Sequence, residues 1–415
     1  MNPIEKIVYD AVKGNPKLKF LLRNTYQGFY DLLPDKKDYF KSYPICKEGF
    51  FFGFHDICPF SDDEKYVLAN KIEIPLKMPQ KDDLLTVGYW SDNFQKFNTI
   101  GKTRAWNYHK GCRLQWIKSE SGSVIFNDAE DNKEVARIYS INTGLLRTIP
   151  CPIDTVSPKG DIATSFSYER LEKFMPGYGY VYSDSSYLDE KKPDNTGLFT
   201  VDLKSGERKL ILSLGRLSGI KHEKSMDNAF HYVTHTEFSP TGDKISFLHR
   251  WTDDPSKRQT RLVTCDLDGS NVQISDTTGM VSHYIWDKKG RVVAYCQVNG
   301  IDGHYLFEDS SLKNPRRVAH LLNSDGHQSF VPSKNMFITD TYPDKRRYSK
   351  LYLVDIDNDE STLIADVKSP KKFQSPDMFH HWACDLHPRV SPSGKYVCFD
   401  SVCTGERSLC VMSLM

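Results

Sequence analysis

No run of about 18 apolar residues occurs in the chain, so no membrane-spanning helix is expected. An excess of charge of one sign is also missing. Its 415 residues carry 55 Lys and Arg against 54 Asp and Glu, a net +1, with both signs spread along the length. A nucleic-acid surface needs a clustered basic footprint, and none is present. Several catalytic signatures are absent as well. No Gly-x-Ser-x-Gly elbow occurs, which removes the serine hydrolases built on it. The nearest approach to a zinc-protease helix motif, His222-Glu-Lys-Ser-Met, lacks the second histidine. No phosphate-binding or dinucleotide glycine pattern appears. Asp302-Gly-His304 and Asp325-Gly-His are turn dipeptides, not calcium loops. The ten cysteines form no Cys-x-x-Cys pair, and several (Cys265, Cys296, Cys398) fall in apolar strand-like runs. Ten reduced thiols in a reducing, cytoplasmic compartment are the expectation. The first ten residues carry acids and lack a long apolar core, so a secretory signal is not expected.

What is present is a repeat. Cys384-Asp-Leu-His387-Pro-Arg389-Val-Ser-Pro-Ser-Gly-Lys-Tyr-Val-Cys-Phe-Asp400 reads as a turn, a short apolar run, a Ser-Pro-Ser-Gly hairpin and a second apolar run. The pattern recurs from His55, Gln115, Asp154, His235, His283 and His327, which makes seven copies with the one at His387. The His235 copy, His-Thr-Glu-Phe-Ser-Pro-Thr-Gly-Asp-Lys-Ile-Ser-Phe, is the clearest. Further strands ending in Asp-x-x-x-Gly-like turns follow, as in Leu198-Phe-Thr-Val-Asp-Leu-Lys-Ser-Gly. Seven units of four short strands predict an all-β, seven-bladed β-propeller that uses about 370 residues. The last unit stops at its third strand, Ser408-Leu-Cys-Val-Met-Ser-Leu. Its fourth strand is therefore expected from residues 43–54, closing the ring without an open edge.

Residues 1–42 are expected to form a helical arm and 43–415 the ring. Ile4, Ile7, Val8, Ala11 and Val12 lie at helical spacing, and a second apolar cluster runs from Leu18 to Leu33. The arm either packs on the ring or, through Lys13, Lys17, Lys19 and Arg23, meets a protein or membrane surface. Two long insertions, 168–194 and 215–232, interrupt the repeat. The first is rich in aromatic and charged residues, as expected of a binding rim.

The innermost strand of each propeller blade lines the central channel. The residue before it should stand at one channel mouth. His55, Gln115, His235, His283, His327 and His387 occupy that phase, with Asp154 in blade three. Convergent imidazoles can bind a metal or move protons, although a histidine there can equally be a hydrogen-bonded strut. Arg250, Arg258, Arg261 and Arg389 accompany them, and guanidinium pairs with carboxylates in a bidentate way, so an anionic ligand is expected. Tyr342, with Tyr168, Tyr178 and Tyr180, could stack on sugar rings.

The Ser-Pro-x-Gly hairpins resemble TolB-like propeller repeats, and the layout resembles the oligogalacturonate lyases, cytoplasmic seven-bladed propellers that cleave uronides by β-elimination. The resemblance implies a divalent metal, manganese or zinc, held by His327 and His387. It implies His283 as the base, with His235 as a second candidate, and Arg261 or Arg258 as the arginine. Arg250, Arg258, Arg389, Tyr342, Gln115 and His55 would bind substrate. The family's last blade has a glutamine followed by His-Pro-His; here those positions read Cys384 and His387-Pro-Arg389. Two functions follow: a metal-assisted lyase for an acidic oligosaccharide, or a non-catalytic glycan- or protein-binding propeller in a polysaccharide-assembly pathway.

Overall fold

The Ser-Pro-x-Gly turns set the phase of the ring. In three copies the glycine N–H bonds the serine carbonyl three residues back, Gly160 to Ser157, Gly242 to Ser239 and Gly394 to Ser391, each at 2.9 Å. The glycines there have φ of 72°, 73° and 75°, a left-handed conformation that a side chain would strain. A computed structural model describes residues 16–183, 187–254, 257–377 and 379–414. It contains seven antiparallel sheets arranged as seven blades.

Blade one comprises Phe50–Phe51, Val67–Ile72, Leu85–Ser91 and Lys96–Thr103; blade two begins at Gln115–Ile117. Blade three has three strands, Ile162–Ser165, Gly197–Asp202 and Arg208–Ser213, and its innermost strand is reduced to a bridge between Val156 and Ala163. Blade four begins with Phe230–Phe238, blade five with Val281–Trp286, blade six with Gln328–Phe330 and blade seven with Arg389–Val390. Apolar side chains alternate into the spaces between sheets. One cluster, for example, joins Val331, Ile338 and Leu351 to Val390, Val397 and Phe399 across blades six and seven.

Blade seven takes its outer strand from Ile45–Glu48, which pairs antiparallel with Ser408–Ser413. Closure thus comes from the 43–54 segment. The arm also enters the ring. Tyr39–Phe40 pairs with Asp366 and Ala365 as a fifth strand of blade six, so the sheet structure starts before residue 43. Of the arm's helical part, the structure describes one helix, Pro16–Tyr30; the Ile4 to Val12 pattern lies outside the described residues. The helix docks through polar groups. Arg23 bonds the Ser375 carbonyl, Gln27 the Asp344 carbonyl, and Asp31 pairs with Arg347 at 2.8 Å. Leu21, Phe29 and Leu32 face outward. No helix among the described residues is long and apolar enough to cross a membrane.

The expectation of ten free thiols is corrected. Cys46 and Cys410 face each other across the closing pair of strands and form a disulfide spanning 364 residues of sequence. Two cysteines opposed in an antiparallel register have Cβ atoms close enough to bond. The other eight remain free. Titration of denatured, unreduced protein should therefore find eight thiols. Cys46→Ser should lower Tm by several degrees, because an uncrosslinked chain regains loop entropy worth about 2–4 kcal/mol when it unfolds. Ten titratable thiols, or an unchanged Tm, would remove the covalent closure.

Candidate functional site

Phe54 stands at the centre of the channel mouth. Phe52 and Gly53 donate their N–H groups to the two oxygens of Asp400, at 2.9 and 3.1 Å. A Cβ on Gly53 would meet the Lys110–Gly111 backbone at 2.9 Å, so only glycine permits this approach. The Phe54 ring is then surrounded by imidazoles. Its centroid lies 4.6 Å from His55, 4.7 Å from His235, 5.1 Å from His387, 5.7 Å from His327 and 5.8 Å from His283. The His283 and His327 rings are 4.0 Å apart, and those of His327 and His387 4.2 Å.

Backbone irregularity aims these rings. His235 and His283 do not precede their strands; they lie inside them, at register shifts between Thr234 and Glu237 and between Val281 and His283. Such bulges redirect a side chain. His235 and His387 adopt φ of 54° and 43°, which a non-glycine residue holds only under constraint from its surroundings. Hydrogen bonds fix four of the rings. His55 Nδ1 bonds the Gln328 carbonyl at 2.8 Å, and His235 Nδ1 bonds Thr234 Oγ1 at 2.8 Å. His283 Nδ1 bonds Asp325 at 3.2 Å, and His327 Nδ1 lies 3.0 Å from both oxygens of Asp340. The Nε2 atoms of His235 and His387 are buried without a partner.

The two carboxylate-bound imidazoles differ in their proton affinity. Burial drives His283 well below the usual imidazole value, and His327 and Arg250 add to this. For His327 burial acts in the same direction, but Asp340, Asp385 and Asp325 together outweigh it and the ring is held above its ordinary value. Asp325 is pushed up to about 6 by burial. The mouth is roofed, not open as a funnel; the five imidazoles are 2–5% exposed. The roof comes from the first insertion. Its helix Tyr168–Phe174 leads into Met175, which accepts from Arg250, and into Tyr178, which stacks on His109 at 4.6 Å.

The arginines divide. Arg250 is buried beside the cluster, with one guanidinium nitrogen on the Ser282 carbonyl and its Nε unpartnered. Burial and then Arg258 bring it down to about 10. Arg258 is exposed on the rim, and Tyr342, 41% exposed, lies edge-on to His327 at 5.9 Å. Three of the expected site residues, Arg261, Arg389 and Gln115, make strut-like contacts. Arg261 donates to the Leu217, Ile220 and Lys221 carbonyls at the end of helix Leu214–Gly219 and to His249. Arg389 bonds the Gly53 carbonyl and Asp400, which positions Phe54. Gln115 spends its amide on the Arg113 and Asp154 carbonyls and the Val156 N–H. Each joins separate segments, through backbone carbonyls and, for the two arginines, also through the His249 and Asp400 side chains.

Three residues outside the repeat phase complete the mouth. His109 and Asp385 lie with His387 so that one donor atom from each is within 4.8 Å of the others. His381 Nδ1 contacts His109 Nε2. This donor set contains one of the two expected ligands; His327 is outside it. A surface groove of about 490 Å³ lined by Lys81, Arg104, Asp128 and Tyr182 contains no histidine.

No family model and no curated protein matches the chain. Among solved structures, an oligogalacturonate lyase from Vibrio parahaemolyticus superposes with a TM-score of 0.58 at 13% identity, over 92% of this chain and 98% of that one. An oligogalacturonate lyase in complex with manganese has a TM-score of 0.42 at 12% identity, over 91% of this chain and 96% of that one. The chain is a seven-bladed β-propeller. Its fold is that of the Vibrio lyase structure over nearly the whole length of both chains.

Proposed function

We propose that the protein is a lyase for an acidic, uronate-containing oligosaccharide, with the reaction centred on His283 and His327. The observation that carries this reading is the pair of His–Asp dyads whose rings lie 4.0 Å apart and whose proton affinities are moved in opposite directions. Two titratable groups with separated pKa values are what an acid–base pair requires. Arg250 and Arg258 would pair with the uronate carboxylate and so make the adjacent C–H more acidic. Neutral His283 takes the proton α to the carboxylate, and the electron pair forms the C=C bond. The bond to the glycosidic oxygen on the β-carbon breaks, and protonated His327 supplies the proton that the leaving oxygen needs. His235 and His55 wall the same space, with Tyr342 at its rim. A divalent cation bound at the mouth would contribute positive charge beside the carboxylate. The likeness to a solved oligogalacturonate lyase supports the substrate class.

A second reading, a non-catalytic glycan- or protein-binding propeller, is favoured by the coverage of the imidazoles, which leaves them 2–5% exposed. Incubation with oligouronides, monitored by the ultraviolet absorbance of the unsaturated product, tests the first reading. Turnover is expected. Saturable binding without absorbance change would establish the second and exclude the first.

A further inference from the structure

His109, Asp385 and His387 come from two places in the chain: the link between blades one and two, and the approach to blade seven. All are buried, with His109 at 1% and His387 at 2% exposure. Burying an imidazole nitrogen without a partner costs free energy, and such groups are rare in folded proteins. Here two occur on rings whose centroids are 6.2 Å apart: His109 Nδ1 and His387 Nε2 make no hydrogen bond. The Asp385 carboxylate lies 3.7 Å from the first of them. We infer that these three residues hold a divalent first-row metal ion, and that the orphaned nitrogens are its ligand atoms.

The dimensions suit this assignment. Ligand atoms at ~2.0–2.2 Å from a tetrahedral ion are ~3.3–3.6 Å apart, so donors within 4.8 Å need close by only about an ångström. Two imidazoles and one carboxylate form a mixed nitrogen and oxygen set, which zinc fills more tightly than manganese. Three protein ligands leave positions for water or an anionic ligand group, as in open rather than closed sites. The outer shell is in place. His381 Nδ1 meets His109 Nε2, the nitrogen that would carry the proton once Nδ1 binds metal. Asp340 accepts the His387 backbone N–H at 2.9 Å and fixes that ligand's position. Tyr178 stacks on His109 and shuts the site from above. The inference does not depend on elimination chemistry, because a binding propeller could hold the ion equally well.

The test uses the full chain, stripped with a chelator and dialysed against zinc or manganese, with metal content measured by elemental analysis. One ion per chain is expected, with zinc retained more tightly. His109→Ala, Asp385→Asn and His387→Ala should each weaken retention by more than about 100-fold, and His381→Ala by about 10–100-fold. Exposed His320, replaced by alanine, should change nothing. Cobalt loaded into the unaltered chain should give d–d absorption bands of a low-coordinate site, a readout that survives even if a variant misfolds. A chain that takes up neither metal overturns the inference. So does retention that is lost in His327→Ala but kept in His109→Ala and Asp385→Asn.

Discussion

His283→Ala is expected to lower the rate of uronide elimination by about 10²–10⁴-fold with the fold intact, the loss that follows removal of a positioned base. The ring makes one side-chain hydrogen bond, to Asp325, and Asp325 keeps its 2.6 Å bond from Ser282 Oγ when the ring is gone. Tm should therefore move by only a few degrees. The pH profile gives a second readout. The base acts when unprotonated, and His283 has its affinity lowered, so the acid limb of kcat/KM should lie below the ordinary imidazole value of 6.5. The proton donor His327 is raised, so the alkaline limb should lie above that value. His327→Ala should abolish the alkaline limb as well as slow the reaction. Full turnover in His283→Ala, or an acid limb at or above 6.5, would end the acid–base assignment.

The ring was readable because each blade repeats a turn with its own physical requirement. Ser157, Ser239 and Ser391 begin hairpins that close by the same bond, and a glycine three residues on takes up the positive φ. Once that phase is fixed, the truncated last unit calls for Ile45–Glu48 as its missing strand. Phase also brings five histidines to one mouth. Residues that lie off phase stayed hidden. His109, His381 and Asp385 are on connecting segments, and no periodicity ties them to His387. The opposition of Cys46 to Cys410 depends on the closing register, which spacing across 364 residues does not reveal. The direction of Arg389 has a backbone reason that spacing does not show. Two residues beyond His387 along a regular strand, it would point to the same side. The left-handed conformation at His387 breaks that alternation, and the guanidinium turns to Asp400 and Gly53. Arg261 reaches a helix end whose carbonyls it caps, a contact that sequence proximity to histidine does not reveal.

Asp154 stands in blade three where other blades place a histidine or glutamine, and its loss should be the most damaging single change to stability. The carboxylate is wholly buried. It binds Lys110 Nζ at 2.8 Å, Arg113 Nε at 2.9 Å, the Tyr168 hydroxyl at 2.8 Å, and the Thr236 N–H and hydroxyl at 3.0 and 2.8 Å. It thus ties the entry to blade two, the first insertion and blade four to one point. The two cations are themselves buried, and the remaining nearby partner, Asp56, is already paired with Arg113 at 2.7 Å. Asp154→Ala would leave the Lys110 charge uncompensated beneath Phe54, and breaking a buried pair in this way costs about 3–5 kcal/mol. Burial by itself would raise the Asp154 pKa, but Arg113 and Lys110 outweigh it and hold the carboxyl well below its usual range. A folded pKa below the unfolded one gives stabilisation that is complete above about pH 4, the unfolded value. It fades as pH falls toward the folded value. The gap between the native chain and Asp154→Asn in urea unfolding should accordingly be widest near pH 7 and narrow below about pH 4. A gap under about 1 kcal/mol at pH 7, the worth of an exposed pair, would mean that the network is not the keystone its geometry describes.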